Sequence, residues 1–119
     1  MRIGELSAAT GVPTRLLRYY ENQGLLVSQR QVNGYRDYPD DMADRVVQVR
    51  GLIDAGIPTA VIYDMLPCLV DTSAPHPVIE PSVAQTLDER RAQLDKRIAC
   101  LTRNRDAITD YLARATVGC

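Results

Sequence analysis

The sequence predicts a mainly α-helical chain: a winged helix-turn-helix domain, followed by one long helix that pairs with a copy of itself. Three observations carry that reading. Two short helical patterns meet at Gly11, Val12 and Pro13; Asn33-Gly34 sits between two candidate strands; and residues 83–115 contain neither Pro nor Gly while repeating apolar residues every seven positions.

Residues 3–10 read as a short helix with Ile3, Leu6 and Ala9 on one face, ended by Gly11. Pro13 suits the first position of a second helix, and Thr14 can satisfy free amides there. That helix runs through Arg15 and Tyr20 to about Gln23 and is closed by Gly24, so the pair forms a helix-turn-helix over about residues 3–23. From Leu25 to Tyr38 the pattern reads as a small β-hairpin, or wing, turned at Asn33-Gly34. Pro39-Asp40-Asp41 opens a third helix carrying Met42, Val46, Val49 and Ile53 on one face, and it ends near Gly56. Pro58-Thr59 opens a fourth, with Val61, Ile62, Met65 and Leu66 apolar, and Pro67 is expected to stop it.

Pro75, Pro77 and Pro81 mark residues 70–82 as a stiff linker. Beyond it, Leu87, Leu94, Leu101 and Ile108 fall seven apart, with Ala84, Arg91, Ile98, Arg105 and Leu112 in the second seam position. A helix of that length spans about 50 Å at ~1.5 Å per residue, more than the preceding domain can cover. The apolar stripe therefore calls for a second copy, through Leu87, Leu94, Ile98, Leu101, Ile108 and Leu112. Arg91 and Arg105 would face their own copies in a parallel in-register pair, and an antiparallel pairing separates them. The expected domains are 1–69, the linker 70–82, the dimerisation helix 83–115 and a tail 116–119.

The 119 residues are 45% hydrophobic and 24% charged, which excludes wholesale disorder. No apolar run approaches the ~18 residues of a membrane span, and Met1-Arg2-Ile3-Gly4-Glu5 is not a secretory leader. Three cysteines without such a leader fit a reducing cytoplasm rather than a disulfide framework.

A net charge of −1 conceals an uneven distribution: residues 1–38 hold five arginines, including Arg2, against three acids. Arg15 and Arg18 share one face of the second helix, with Tyr19 beside them, while Arg30, Tyr35, Arg36 and Tyr38 decorate the wing. Guanidinium groups make bidentate contacts with phosphate or guanine. One helix and one hairpin bearing them fit a recognition helix in the major groove and a wing on the flanking backbone. Of the adjacent tyrosines, Tyr20 is the expected core residue. Thr14, at the start of the recognition helix, joins the DNA-facing set.

Ile3-Gly4-Glu5-Leu6, Leu17-Arg18-Tyr19-Tyr20-Glu21, Gly24-Leu25-Leu26 and Asn33-Gly34-Tyr35-Arg36-Asp37-Tyr38 together resemble the signature of the MerR family of bacterial transcription regulators, densely over residues 2–66. The later heptads are similar to that family's dimerisation helix. The resemblance implies a homodimer joined by an antiparallel coiled coil, bound to a pseudo-palindromic promoter site that it bends and untwists. It implies Arg15 and Arg18 at the major groove, Tyr19 near phosphates, Tyr35, Arg36 and Tyr38 in the wing, and Arg50 as a backbone contact from the third helix. The sequence departs from the pattern where many relatives carry Arg and Phe: Ile53 and Ile57 stand there. The partners implied are double-stranded promoter DNA, a second copy and, indirectly, RNA polymerase; a small-molecule effector is left open.

Metal-sensing relatives use clustered cysteines, whereas Cys68, Cys100 and Cys119 form no Cys-x-x-Cys pair, so no metal site and no cofactor is expected. Cys68 is the candidate thiol for an effector contact, and Cys100 is expected at the flank of the seam. The single histidine, His76, lies in the linker, and no nucleophile–base spacing suggests catalysis. The alternative to a DNA-binding regulator is a protein-interaction module of the same fold, such as a chaperone modulator.

Overall fold

The computed structural model describes residues 1–70, 73 and 75–118, with the backbone alone at Val70. Cys119 and residues 71, 72 and 74 of the expected linker lie outside the described residues. The elements in order are α1 (Ile3–Thr10), α2 (Thr14–Asn22), β1 (Gln29–Arg30), β2 (Arg36–Asp37), α3 (Met42–Asp54), α4 (Thr59–Val70) and α5 (Pro81–Arg114). Two units result, the first being Met1–Val78 and the second beginning at Ile79. Among the described residues no helix is long and apolar enough to cross a membrane.

In the first unit, α1 buries Leu6 but leaves Ala9 exposed, so its core face is narrower than expected. The Ser7 hydroxyl donates to the Val12 carbonyl at 2.7 Å across the turn. Pro13 sits one residue before α2 rather than inside it, and its carbonyl accepts from the Leu16 and Leu17 amides at 3.0 and 3.1 Å. Leu17 and Tyr20 then point into the core, at 0% and 1% exposure. α2 ends as Leu25 N–H donates back to the Tyr20 carbonyl at 2.9 Å. The turn needs Gly24 in the left-handed region, φ 77°, and a Cβ there would meet Tyr63 Cε2 of α4 at 2.8 Å.

Leu25 and Leu26 were expected in the hairpin. They form instead a buried bend that anchors the chain before the wing begins. The strands are two residues each, antiparallel, with Gln29 opposite Asp37 and Arg30 opposite Arg36. Gly34 N–H donates to the Gln31 carbonyl at 2.9 Å and Gln31 N–H to the Tyr35 carbonyl at 2.7 Å. The connection is thus a three-residue loop with Gly34 (φ 85°) as the left-handed bulge, not a two-residue Asn-Gly turn.

α3 buries Met42, Val46 and Val49 on one stripe, with Ile53 half-buried. α4 contributes Ile62 to the core and does not stop at Pro67. Pro67 has no amide to donate to the carbonyl four residues back, so α4 forgoes one hydrogen bond there and still continues to Val70. The most deeply buried part of the core comprises Leu6, Leu17, Tyr20, Leu25, Tyr38, Val46, Val49 and Ile62.

The second unit is α5, 34 residues, two residues earlier at its start than the heptads predict. Pro81 takes the first helical position, where its missing amide costs nothing. α5 buries no residue at all. Leu94, Ile98, Leu101, Ile108 and Leu112 are 37–61% exposed along one stripe, and Leu87 is half-buried.

Candidate nucleic-acid interface

The first unit carries a groove of about 470 Å³ between α2 and the wing, lined by Arg2, Ile3, Arg18, Asn22, Gly34, Tyr35, Arg36 and Tyr38. Three guanidinium groups and no carboxylate line it. α2 supplies Arg18 because Leu17 and Tyr20 fix the opposite face in the core, turning positions 15, 18 and 19 outward. The hairpin supplies Tyr35, just before β2, and Arg36, in β2, and both line the groove.

The structure brings together four of the predicted residues at this groove, Arg18, Tyr35 and Arg36 with exposed or half-exposed side chains and Tyr38 as a buried part of its wall. Arg15, Tyr19 (45% exposed), Arg30 and Arg50 are exposed but outside its lining, and Thr14 is half-exposed at the head of α2. The Tyr19 and Tyr20 rings are tilted at 57° with centroids 6.2 Å apart, so the buried ring orients the exposed one. Arg50 pairs with Asp54 at 3.4 Å, and the Tyr20 hydroxyl first, then Asp54, raise the pKa of its guanidinium.

Tyr38 requires correction. Assigned to the DNA-facing wing, its side chain is 0% exposed and belongs to the core. It lies just beyond the two-residue β2, where its N–H donates to the Met1 carbonyl at 2.7 Å, and its ring turns inward. Burial first, then the neighbouring Glu21 carboxylate, push its phenol pKa up.

Sequence reasoning missed Arg2 as a site residue. Its guanidinium stands 4.3 Å from the centroid of the Tyr35 ring, a cation–π contact that bridges the start of α1 to the wing tip. Arg2 also lines a second groove of about 430 Å³ with Val32, Asn33 and Arg36. No periodicity marks Arg2; only the tertiary return of the wing brings Tyr35 to it. Behind the groove, Arg36 Nη1 is 2.7 Å from Glu21 Oε2.

The six dimerisation candidates lie on α5, all of them at least partly exposed. Cys68 is exposed in the last turn of α4, and Cys100 is exposed on α5, with Asn104 Nδ2 3.9 Å from its sulfur. Among the described residues no three His, Cys, Asp or Glu side chains cluster as a metal site would require.

Residues 1–68 match the model of the MerR HTH family regulatory proteins. HmrR of Sinorhizobium medicae, named an HTH-type transcriptional regulator, is 30% identical over 102 residues, 85% of this chain and 67% of HmrR. The nodulation protein NolA of Bradyrhizobium elkanii is 48% identical over 56 residues, 46% of this chain. The chain matches only 26% of the length of NolA. Among solved structures, HiNmlR, a MerR family regulator bound to promoter DNA, superposes with a TM-score of 0.61 at 20% identity, covering 95% of this chain and 83% of that one. PbrR691 of Ralstonia metallidurans, in complex with lead(II), gives 0.60 at 21% identity, covering 100% and 90%. At such identities the likeness is one of fold. By its match over residues 1–68, the chain belongs to the MerR helix-turn-helix family of regulatory proteins.

Proposed function

We propose that this chain is a DNA-binding transcription regulator that acts as a homodimer on a pseudo-palindromic promoter site. The observation that carries the proposal is the groove between α2 and the wing, where Arg2, Arg18 and Arg36 converge around Tyr35 without an acid in the lining. Such a surface suits a phosphate backbone, and the exposed Arg15 one turn earlier on α2 suits the adjacent base edges. Tyr19, Arg30 and Arg50 extend the contact area, and Thr14 sits at the end of α2 that enters the groove. The names of the relatives, all regulators or nodulation proteins, fit a regulator without catalytic activity.

Dimerisation falls to α5, in an antiparallel coiled coil. Placing Leu87 opposite the partner's Leu112 aligns Ile98 with the partner's Leu101 and Leu94 with the partner's Arg105. Every seam arginine then meets an apolar residue and none meets another arginine, and its head can reach solvent past the seam. Each copy then contributes one DNA-binding domain, residues 1–69, through the linker 70–82. Bending a promoter site between them costs about 1–6 kcal/mol by elastic estimates, which arginine–phosphate contacts on both half-sites must offset.

The test is fluorescence anisotropy on DNA upstream of the chain's own gene, across a salt series. The expected result is tight binding that falls by about 10³ or more between roughly 50 and 200 mM salt, the signature of some six to ten phosphate contacts. Weak binding, indifferent to sequence, would overturn the proposal in favour of a protein-interaction module of the same fold.

A further inference from the structure

The ion pair that ties the recognition helix to the wing is not explained by stability alone. Glu21 lies on the last full turn of α2, with its side chain 15% exposed, and Arg36 lies on β2, 39% exposed, with 2.7 Å between Oε2 and Nη1. The wing's other anchors run to the N-terminus and the core rather than to the exposed face of α2: the Met1 ammonium on Asp37 Oδ1 at 3.1 Å and on the Tyr38 carbonyl at 2.6 Å, the Tyr38 amide on the Met1 carbonyl, Arg2 over the Tyr35 ring, and the buried Tyr38 ring. The second carboxylate oxygen, Glu21 Oε1, is buried without a hydrogen-bond partner, as is the Tyr38 hydroxyl nearby. A partly desolvated carboxylate with an orphaned oxygen is a costly way to hold a hairpin. It also sits behind a surface proposed to receive a polyanion, where a negative charge works against the ligand.

We propose that Glu21 is a positioning residue for DNA binding: it holds the Arg36 guanidinium in the α2–wing groove, aimed for a phosphate, and fixes the wing to the recognition helix before DNA arrives. The inference rests on the DNA-binding reading above. A free arginine side chain loses substantial rotamer freedom when it engages a phosphate; one already clamped by a carboxylate loses less. Glu21 accepts through one oxygen and Arg36 has five donors, so Arg36 keeps others for the groove. The repulsion between Glu21 and the phosphates is screened over about 8 Å at physiological salt, whereas the orientational gain is not screened.

The two effects have opposite signs, which makes the inference testable. Glu21→Met keeps the length of the side chain and its helix preference while removing charge and acceptor. Measured by anisotropy near physiological salt, Glu21→Met should weaken operator binding by about tenfold, with the salt slope shallower by about 0.9 per wing. On an Arg36→Gln background the same substitution should change affinity no further. If Glu21→Met binds as tightly as the native chain, or more tightly, the carboxylate only repels DNA and the inference fails. If it weakens binding equally on the Arg36→Gln background, Glu21 acts through stability and the inference also fails. Should Glu21→Met not fold, Glu21→Ala, which also removes charge and acceptor, carries the same pair of comparisons. Failure of the DNA-binding reading shows separately, as absence of binding by the native chain.

Discussion

The two units of this chain solve the burial problem in opposite ways. Residues 1–78 close a core of their own, with eight side chains at under 2% exposure drawn from α1 to α4 and the segments around the wing. α5, with 34 residues, buries none. The first unit can therefore hold its surface arginines in fixed positions whatever its oligomeric state. α5 has a regular pattern but no partner within its own unit, and tertiary packing, rather than propensity, is what usually stabilises a helix. The exposed apolar stripe of α5 is what the proposed pairing would cover, whereas the closed domain needs no second copy for its core.

The largest expected effect breaks the second unit alone. Leu94→Asp with Leu101→Asp puts two charges into the proposed seam and should convert the dimer to monomer by light scattering, while circular dichroism retains the signature of the first unit. A persistent dimer would sink the coiled-coil reading. Cysteine pairing sharpens it in a background where Cys68, Cys100 and Cys119 are Ser. Leu94→Cys with Arg105→Cys should cross-link the antiparallel pair under oxidation, whereas Leu94→Cys alone should not. Cross-linking by Leu94→Cys alone would mean parallel helices, since a disulfide needs Cα atoms within about 7 Å.

Next in size is the core of the first unit. Leu17 is fully buried on α2, and Leu17→Ala should cost about 2–5 kcal/mol in urea unfolding. Its effect on DNA binding should vanish wherever the domain remains folded. Arg18→Ala should do the reverse: thermal midpoint and dimer unchanged, operator affinity lower by about tenfold or more. Unchanged binding would remove Arg18 from the interface.

The helices were legible because their signals are local: Gly11 and Gly24 end α1 and α2, and apolar spacing places Leu17, Tyr20, Met42, Val46 and Val49 on their buried faces. α5 was legible for the same reason, to within two residues at its start. The wing was read less well. Its alternation is real but short, and Tyr35 and Tyr38, three apart, fall on opposite faces, so only one of them can be an exposed wing residue. That spacing was the signal that Tyr38 belongs inside, on the same side as Arg36 and Glu21. Pro67 misled because a proline inside a helix forfeits a hydrogen bond without having to end the helix. Arg2 carried no local signal, since its place over Tyr35 depends on the chain returning from 33 residues away.

The smallest expected effect tests the junction between core and surface. The Tyr38 hydroxyl is buried without a hydrogen-bond partner, so its desolvation is a standing cost to the fold. Tyr38→Phe keeps the ring in the core and removes that cost, and should change stability near neutral pH by about 1 kcal/mol or less, in the stabilising direction. The alkaline limb gives the sign independently. The folded phenol has its pKa raised above the ordinary value of 10.0, by burial first and then by Glu21. The unfolded chain therefore loses this proton at lower pH than the folded one. The contribution is fully present below the unfolded value and is lost as pH rises through the folded one. Tyr38→Phe should flatten that part of the alkaline loss in urea titrations. A cost of more than about 2 kcal/mol near neutral pH would mean instead that the hydroxyl has found a partner in solution. The nearest candidate is Glu21 Oε1, and the latch on Arg36 would then extend through Tyr38 into the core of the first unit.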